Sequence, residues 1–176
     1  MRELSKFKNN SLTTRLRLKL ILWLVCQSII FPVLPFSSIK SLFLKFFGAK
    51  LGLRIKLRRG TRVHFPWNLE IGNDCWIGEE VWFINHEKIT IGSNVCISQR
   101  SIICSGGHDY RSASLDYAHK PVVIKDGAWI CLDAKVLPGV TIGECSVVSA
   151  GEIARKSLPD YSMLVGGQVR QIDPPK

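Results

Sequence analysis

The chain lacks most of the short signatures that announce a function. It has no G-x-x-x-x-G-K-[ST] and no G-x-G-x-x-G stretch, so nucleotide binding of those types is not indicated. Its six cysteines, Cys26, Cys75, Cys96, Cys104, Cys131 and Cys145, form no C-x-x-C and no tight framework. They read as reduced structural thiols of a cytosolic protein. The uncharged, largely apolar stretch of residues 20–36 has seventeen residues, short of the roughly twenty apolar ones that a spanning helix needs. Pro32 and Pro35 break its end. Basic residues precede it, but no small-x-small cleavage site follows, so it does not read as a leader peptide. Acidic residues are almost missing from the first third. Residues 1–62 carry fourteen Lys and Arg and one acid, Glu3, whereas residues 63–176 carry ten and thirteen.

The net charge of +10 therefore belongs to the N-terminal third. Such a surface either meets anionic partners (lipid headgroups, a phosphorylated substrate, nucleic acid) or is a solvated tail. Nucleic acid is set aside, because no aromatic or basic recognition motif accompanies the charge. With 46% hydrophobic and 22% charged residues, the composition is that of a globular chain. Residues 1–50 read as a basic, apolar helical segment. One helix is expected from about Ser11 to Phe31 and a second from about Ser38 to Phe47, stopped at Gly48. The pair either lies on a membrane surface or covers the end or side of the main domain.

Residues 51–176 are organised differently. From Ile71 onward aliphatic residues recur every six positions, at 71 and 77, at 91, 97 and 103, and at 124, 130, 136, 142 and 148. Leu51, Leu57, Val63 and Leu69 continue the pattern upstream, and two-residue slips occur before Ile71 and Ile91. A helix cannot hold such positions on one face, since six residues rotate it by about 600°, or about 240° out of phase. The period suits a triangular coil of short strands with one aliphatic residue pointing inward on each face. A second inward position, four residues later, takes Cys75, Val81, Val95, Ser101, Ala128, Ala134, Val140 and Ser146. Gly, Asn and Asp turn the corners. About five coils, stacked at strand spacing, make a column roughly 24 Å tall. The expected fold is mainly β, a parallel β-helix with one extruded loop.

That loop is the stretch in which the period fails, about residues 105–121. A closed coil face offers little concavity, whereas a loop thrown out from a corner builds a wall, and rigid scaffolds commonly carry function on such loops. Gly106 and Gly107 are read as permitting unusual backbone angles where the chain leaves the coil. His108 follows them at the loop's root. An imidazole titrates near neutrality and suits proton removal from an attacking hydroxyl.

The I-G-x-x-x-x hexapeptides, "PGVTIG" at 138–143, "SGGHDY" at 105–110 and "SAGEIARKSLPDYSMLVGG" at 149–167 resemble the left-handed β-helix acyltransferases over about residues 45–172. "FFGAKLG", "FPWNLEIGNDCWIG" and "ISQRSIICSGGHDY" look like the colanic-acid-biosynthesis branch of acetyltransferases, with galactoside, maltose and nodulation-factor acetyltransferases more distant. The left hand is carried over from this resemblance, since right-handed crossovers are the general rule. The resemblance implies a homotrimer that transfers acetyl from acetyl-CoA to a sugar hydroxyl, directly and without an acyl-enzyme, as part of polysaccharide or glycan biosynthesis. It implies His108 as general base. It implies coenzyme A binding by Ser98, Trp129, Ala150, Gly151, Arg155, Lys156 and Arg170, the cations meeting its phosphates. No metal is expected.

In the galactoside-type relatives an asparagine one coil before the histidine positions the acceptor, and Gly78 stands at that place. Glu80, Asn85, His86 and Asp109 are the acceptor-binding candidates. The acceptor is a sugar or glycan, free or lipid-linked, and the expected location is the cytoplasm, with peripheral contact at the inner membrane face through the N-terminal segment. Two alternatives stay open: a sugar N-acyltransferase on the same scaffold, and a trimeric β-helix metal lyase. The lyase would need a close histidine pair, which residues 64, 86, 108 and 119 do not form.

Overall fold

The computed structural model describes residues 2–7, 13–31, 34 and 36–174. Two helices precede the coil. Helix α1 (Thr14–Ile29) opens where the Thr13 hydroxyl accepts the Leu16 N–H, a side-chain N-cap. The expected start at Ser11 and the breaks at Pro32 and Pro35 lie outside the described residues. Helix α2 (Ser37–Phe46) ends at Gly48, whose φ of +101° is open to glycine at little cost. The Gly48 and Ala49 N–H groups then bond back to the Lys45 and Leu44 carbonyls, which satisfies the last turn.

The rest is a parallel β-solenoid with three faces. The first face is β1 (Lys50–Leu51), β4 (Leu69–Ile71), β7 (Ile89–Ile91), β10 (Val122–Ile124) and β13 (Thr141–Ile142). The second is β2 (Lys56–Leu57), β5 (Trp76–Ile77), β8 (Cys96–Ile97), β11 (Trp129–Ile130), β14 (Val147–Val148), β16 (Ser162–Val165) and β17 (Gln168–Gln171). The third is β3 (Arg62–Val63), β6 (Trp82–Ile84), β9 (Ile102–Cys104), β12 (Lys135–Val136) and β15 (Ile153–Ala154). The chain thus completes five turns, and β16 begins a sixth. Pairings between these strands are parallel except the closing hairpin, β16 with β17.

The six-residue period becomes this shape because it returns an aliphatic residue to the axis on each face. Ile71 stacks on Ile91, Ile91 on Ile124, and Ile124 on Ile142; Ile77, Ile97, Ile130 and Val148 do the same on the second face. The recurring aliphatics and all eight residues of the second inward position are buried. Each buried aliphatic side chain contributes about 1.5–3 kcal/mol. Helices α1 and α2 share this core and close its N-terminal end. Trp23 is fully buried against Phe31 and Phe47. Its Nε1–H donates to the Val63 carbonyl at 2.7 Å, and Gln27 Oε1 accepts the Val63 N–H at 2.6 Å. Val63 lies on the outermost strand of the third face, and α1 thereby satisfies backbone groups that an open end would leave bare.

Turn length varies at one corner only. The passages from the third face to the first, β3 to β4 and β6 to β7, carry the extra residues seen as slips in the sequence, and β9 to β10 carries the long loop. Three separate irregularities are therefore one vertical feature.

Candidate active site

The corner between the third and first faces gathers every histidine of the chain. The first turn supplies His64, the second His86, and the loop of the third His108 and His119. His64 lies 4.6 Å from His86 and His86 lies 4.8 Å from His119, between ring centroids. Tyr117 joins the set, 4.4 Å from His119 and 5.1 Å from His108. Phe65 stacks on His64 at 4.3 Å and meets His86 at 5.1 Å. The stack was hidden in the sequence because its members are scattered over more than fifty positions. The available signal was that each irregular corner carries a histidine.

The loop is a folded hairpin. Lys120 donates to Ser105, Ala118 to Gly107 and Asp109 to Asp116, and His108 bridges Tyr117 in antiparallel fashion. His108 therefore stands on paired backbone at the loop's root. Its Nδ1 lies 2.5 Å from the Leu115 carbonyl. A carbonyl only accepts, so Nδ1 carries the proton, and the neutral ring keeps its lone pair at Nε2. The His108 ring is exposed to solvent.

The N-terminus clamps this hairpin, which the sequence did not signal. The Glu3 N–H donates to the Ala113 carbonyl, and the Arg2 guanidinium donates to the Tyr110 and Ser112 carbonyls. Phe7 packs 5.0 Å from Tyr117 and 5.8 Å from His108.

Below His108 the imidazoles are held neutral. Burial, then the neighbouring His64, His119 and His108, pull His86 down to about 4. Burial also lowers His64. Burial and His108 lower His119, opposed by Glu87, and His119 Nδ1 accepts the Gly107 N–H at 3.1 Å, which requires that nitrogen unprotonated. A histidine depressed on folding contributes stability that is present above its unfolded value, near 6.5, and is lost as pH falls toward the folded value. The denaturation midpoint should accordingly fall as pH drops from about 6.5 to about 4, and His86→Gln should flatten that slope. An unchanged slope in the variant would remove His86 from the account.

Gly106 has a reason other than backbone freedom. Neither Gly106 nor Gly107 has positive φ, contrary to the sequence reading. A Cβ on Gly106 would instead lie 2.7 Å from the His86 ring, which Phe65, His64 and His119 hold on other sides. Gly106→Ala should destabilise by about 1–3 kcal/mol through overpacking, read as a lower midpoint in denaturant.

Of the acceptor candidates, His86 lines a cleft of about 310 Å³ with Leu16, Phe65, Trp67, Glu87 and His119. Asn85 is fully buried on the same corner, pointing the other way: its Oδ1 accepts the Phe65 N–H at 2.9 Å and its Nδ2 donates to the Phe65 carbonyl at 2.5 Å. Asp109 Oδ1 accepts the Arg111 N–H within the hairpin tip. Glu80 sits at a different corner, between the second and third faces, where its φ of +58° turns the chain. At Gly78 a Cβ would come within 2.7 Å of the Gln99 nitrogen on the next turn, so no side chain is accommodated there without backbone movement.

The donor candidates fall on two sides of the prism. Trp129 Nε1–H donates to Ser98 Oγ at 2.9 Å, so those two side chains act as a unit on the second face, where Trp129 is 48% exposed. Arg170 follows on that face through the register Trp129, Val147, Met163, Arg170. Ala150 and Gly151 form the exposed corner beside it. Arg155 and Lys156 leave β15 at the histidine corner and line a groove of about 260 Å³ with Glu152, Leu164 and Val169. In a triangular section the His108 corner lies opposite the second face. One chain therefore does not bring His108 to Ser98 and Trp129. Among the described residues no group of three His, Cys, Asp or Glu is placed to hold a metal ion, and all six cysteines are free.

No family model matches the chain. Among solved structures it resembles the hexapeptide-repeat acetyltransferase VCA0836 of Vibrio cholerae complexed with acetyl coenzyme A, with TM-score 0.83 and 20% identity over 95% of this chain and 92% of that one. It also resembles galactoside acetyltransferase in complex with coenzyme A, with TM-score 0.78 and 21% identity over 95% and 84% of the two chains. At those identities the likeness is one of fold. The sequence relationship to WcaF of Escherichia coli, designated a colanic acid biosynthesis acetyltransferase, is stronger: 37% identity over 144 residues, covering 81% of this chain and 79% of that protein. At that identity and coverage, the chain belongs to the colanic-acid type of hexapeptide-repeat acetyltransferases.

Proposed function

We propose that the chain transfers acetyl from acetyl-CoA to a sugar hydroxyl, with His108 as general base. The observation that carries this reading is the Leu115 carbonyl on His108 Nδ1, which leaves Nε2 as a proton acceptor at a rigid, exposed position. The hydroxyl gives its proton to Nε2 as its oxygen attacks the thioester carbonyl. The C–S bond then breaks, and the thiolate leaves with the coenzyme.

In this reading the chain works as a cytoplasmic homotrimer, because His108 and the Ser98–Trp129 pair face away from each other within one chain and a neighbour must close the distance. Trp129 and Ser98 would flank the pantetheine arm, Ala150 and Gly151 would let it pass the corner, and Arg155, Lys156 and Arg170 would meet the phosphates. The cleft between α1 and the histidine corner suits the sugar. Phe65 and Trp67 offer ring faces, and neutral His86, with Asn68, Glu87 and His119, offers hydrogen-bonding groups. Asp109 is placed to order the hairpin, and Glu80 is too far round the prism to reach the same chain's cleft.

The test is a screen of free and nucleotide- or lipid-linked sugars with acetyl-CoA, read as thiol release and as acetyl on the acceptor. Ester formation on a hydroxyl supports the reading. Transfer only to amino sugars, as an amide, would replace it with sugar N-acylation.

A further inference from the structure

The outer side of the helical cap is unlike the rest of the surface. Of the eighteen large hydrophobic side chains exposed on the described residues, eleven lie between Leu18 and Phe46. Phe46 is 80% exposed, and Leu42 and Ile29 are each 67% exposed. The inner sides of both helices are spent on the coil, through Trp23 and Gln27 of α1 and Leu44 of α2, so packing on the solenoid does not account for these residues. Between the helices runs a cleft of about 480 Å³ lined, among the described residues, by Leu22, Cys26, Leu42, Phe43, Phe46 and Phe47. On the other side of Leu42 lies a groove of about 290 Å³ that includes Ser38, Ser41, Lys45, Leu53 and Ile55, together with Arg54, whose guanidinium is paired with Asp74. An apolar slot and a groove that bears Lys45 and two serine hydroxyls thus share one wall.

Charge decides the occupant. No acidic residue occurs between Glu3 and Glu70, so the surface around α1 and α2 is basic without internal compensation on the helices. Two copies joined face to face here would bring like charges together. A bilayer with anionic headgroups offers the opposite charge beside an apolar interior. No helix of the described residues is long and apolar enough to cross a membrane.

We propose that α1 and α2 dock the protein on an anionic lipid bilayer. Leu22, Leu42 and Phe46 enter the acyl boundary, and Lys45, with Ser38 and Ser41, faces the phosphates. Docking there also sets the mouth of the sugar cleft beside the lipid surface, since Leu16 of α1 forms its wall. That last consequence rests on the acyl-transfer reading; the docking itself does not.

Co-sedimentation of the full chain with vesicles of phosphatidylcholine, with and without phosphatidylglycerol, tests this. Binding should strengthen at least about tenfold with phosphatidylglycerol and weaken with salt. The double variant Leu42→Glu, Phe46→Glu should lose about tenfold or more, with melting temperature unchanged because both side chains are exposed. Lys45→Glu should lose binding only to the anionic vesicles. His108→Ala should bind as the parent does, which separates docking from catalysis. Equal binding to both vesicle types, or indifference to the double variant, overturns the proposal. So does a double variant that alters the oligomeric mass in solution, for the occupant would then be a second copy.

Discussion

Replacing His108 by alanine should lower acetyl transfer at least about 100-fold, the low end for loss of a general base, while leaving mass and melting temperature as they were. The two halves of this expectation have separate grounds. The hairpin that carries His108 is held by main-chain bonds between Ser105 and Lys120, Gly107 and Ala118, and Asp109 and Asp116, none of which uses the imidazole. The Leu115 carbonyl loses its partner, but the ring is exposed and water can take its place. Structure should therefore persist where chemistry fails. Steady-state thiol release at saturating acetyl-CoA, with melting and mass measured on the same preparation, checks both halves. A variant that turns over within a few-fold of the parent would remove His108 from the proton transfer. The neutral histidines of the stack do not replace it within one chain, because His119 Nδ1 is committed to Gly107 and His86 is half-buried beneath the loop.

The coil was legible because a six-residue period has one economical explanation, and because every inward position is filled by a residue that belongs inside. Ser101 and Ser146 are the polar exceptions, and each buried hydroxyl is bonded to a backbone carbonyl, Cys131 for Ser101 and Pro159 for Ser146. The place of His108 at the root of the loop was legible because it follows the point where the period stops. What the sequence concealed was which irregularities share a corner. That depends on turn length: Arg54 meets Asp74 twenty positions away, whereas Arg100 meets Asp133 across thirty-three because the loop intervenes. Only with the turns laid over one another do His64, His86 and His119 become neighbours. The N-terminal clamp was illegible for a different reason. Glu3 and Arg2 reach the hairpin through backbone carbonyls, which leave no mark in the side-chain pattern. The helical cap was legible in kind, two helices and a glycine stop, and its dual nature came from exposure: one side belongs to the core and the other to solvent.

Asn85→Ala should cost about 1–3 kcal/mol of folding stability through one orphaned backbone group. Beside His86 and one turn below His108, Asn85 reads from sequence as a sugar contact. In the fold its amide is wholly buried and closes a two-bond ring with the Phe65 backbone one turn below. That pairing replaces the strand ladder where the corner widens and the two turns no longer meet as strands. Removing it leaves the buried Phe65 N–H without a partner, at about 1–3 kcal/mol, whereas the Phe65 carbonyl keeps the Asn68 N–H at 2.9 Å. Asn85→Asp should not rescue the site, because a carboxylate can accept the Phe65 N–H but would set a charge against the Phe65 carbonyl. Denaturant unfolding of the three proteins measures the cost. Acetyl transfer per folded molecule, assayed well below the lowered melting temperature, should fall far less than in His108→Ala. The opposite pattern, unchanged stability with a weakened KM for the sugar, would turn Asn85 outward and make it the acceptor ligand that Gly78 cannot be.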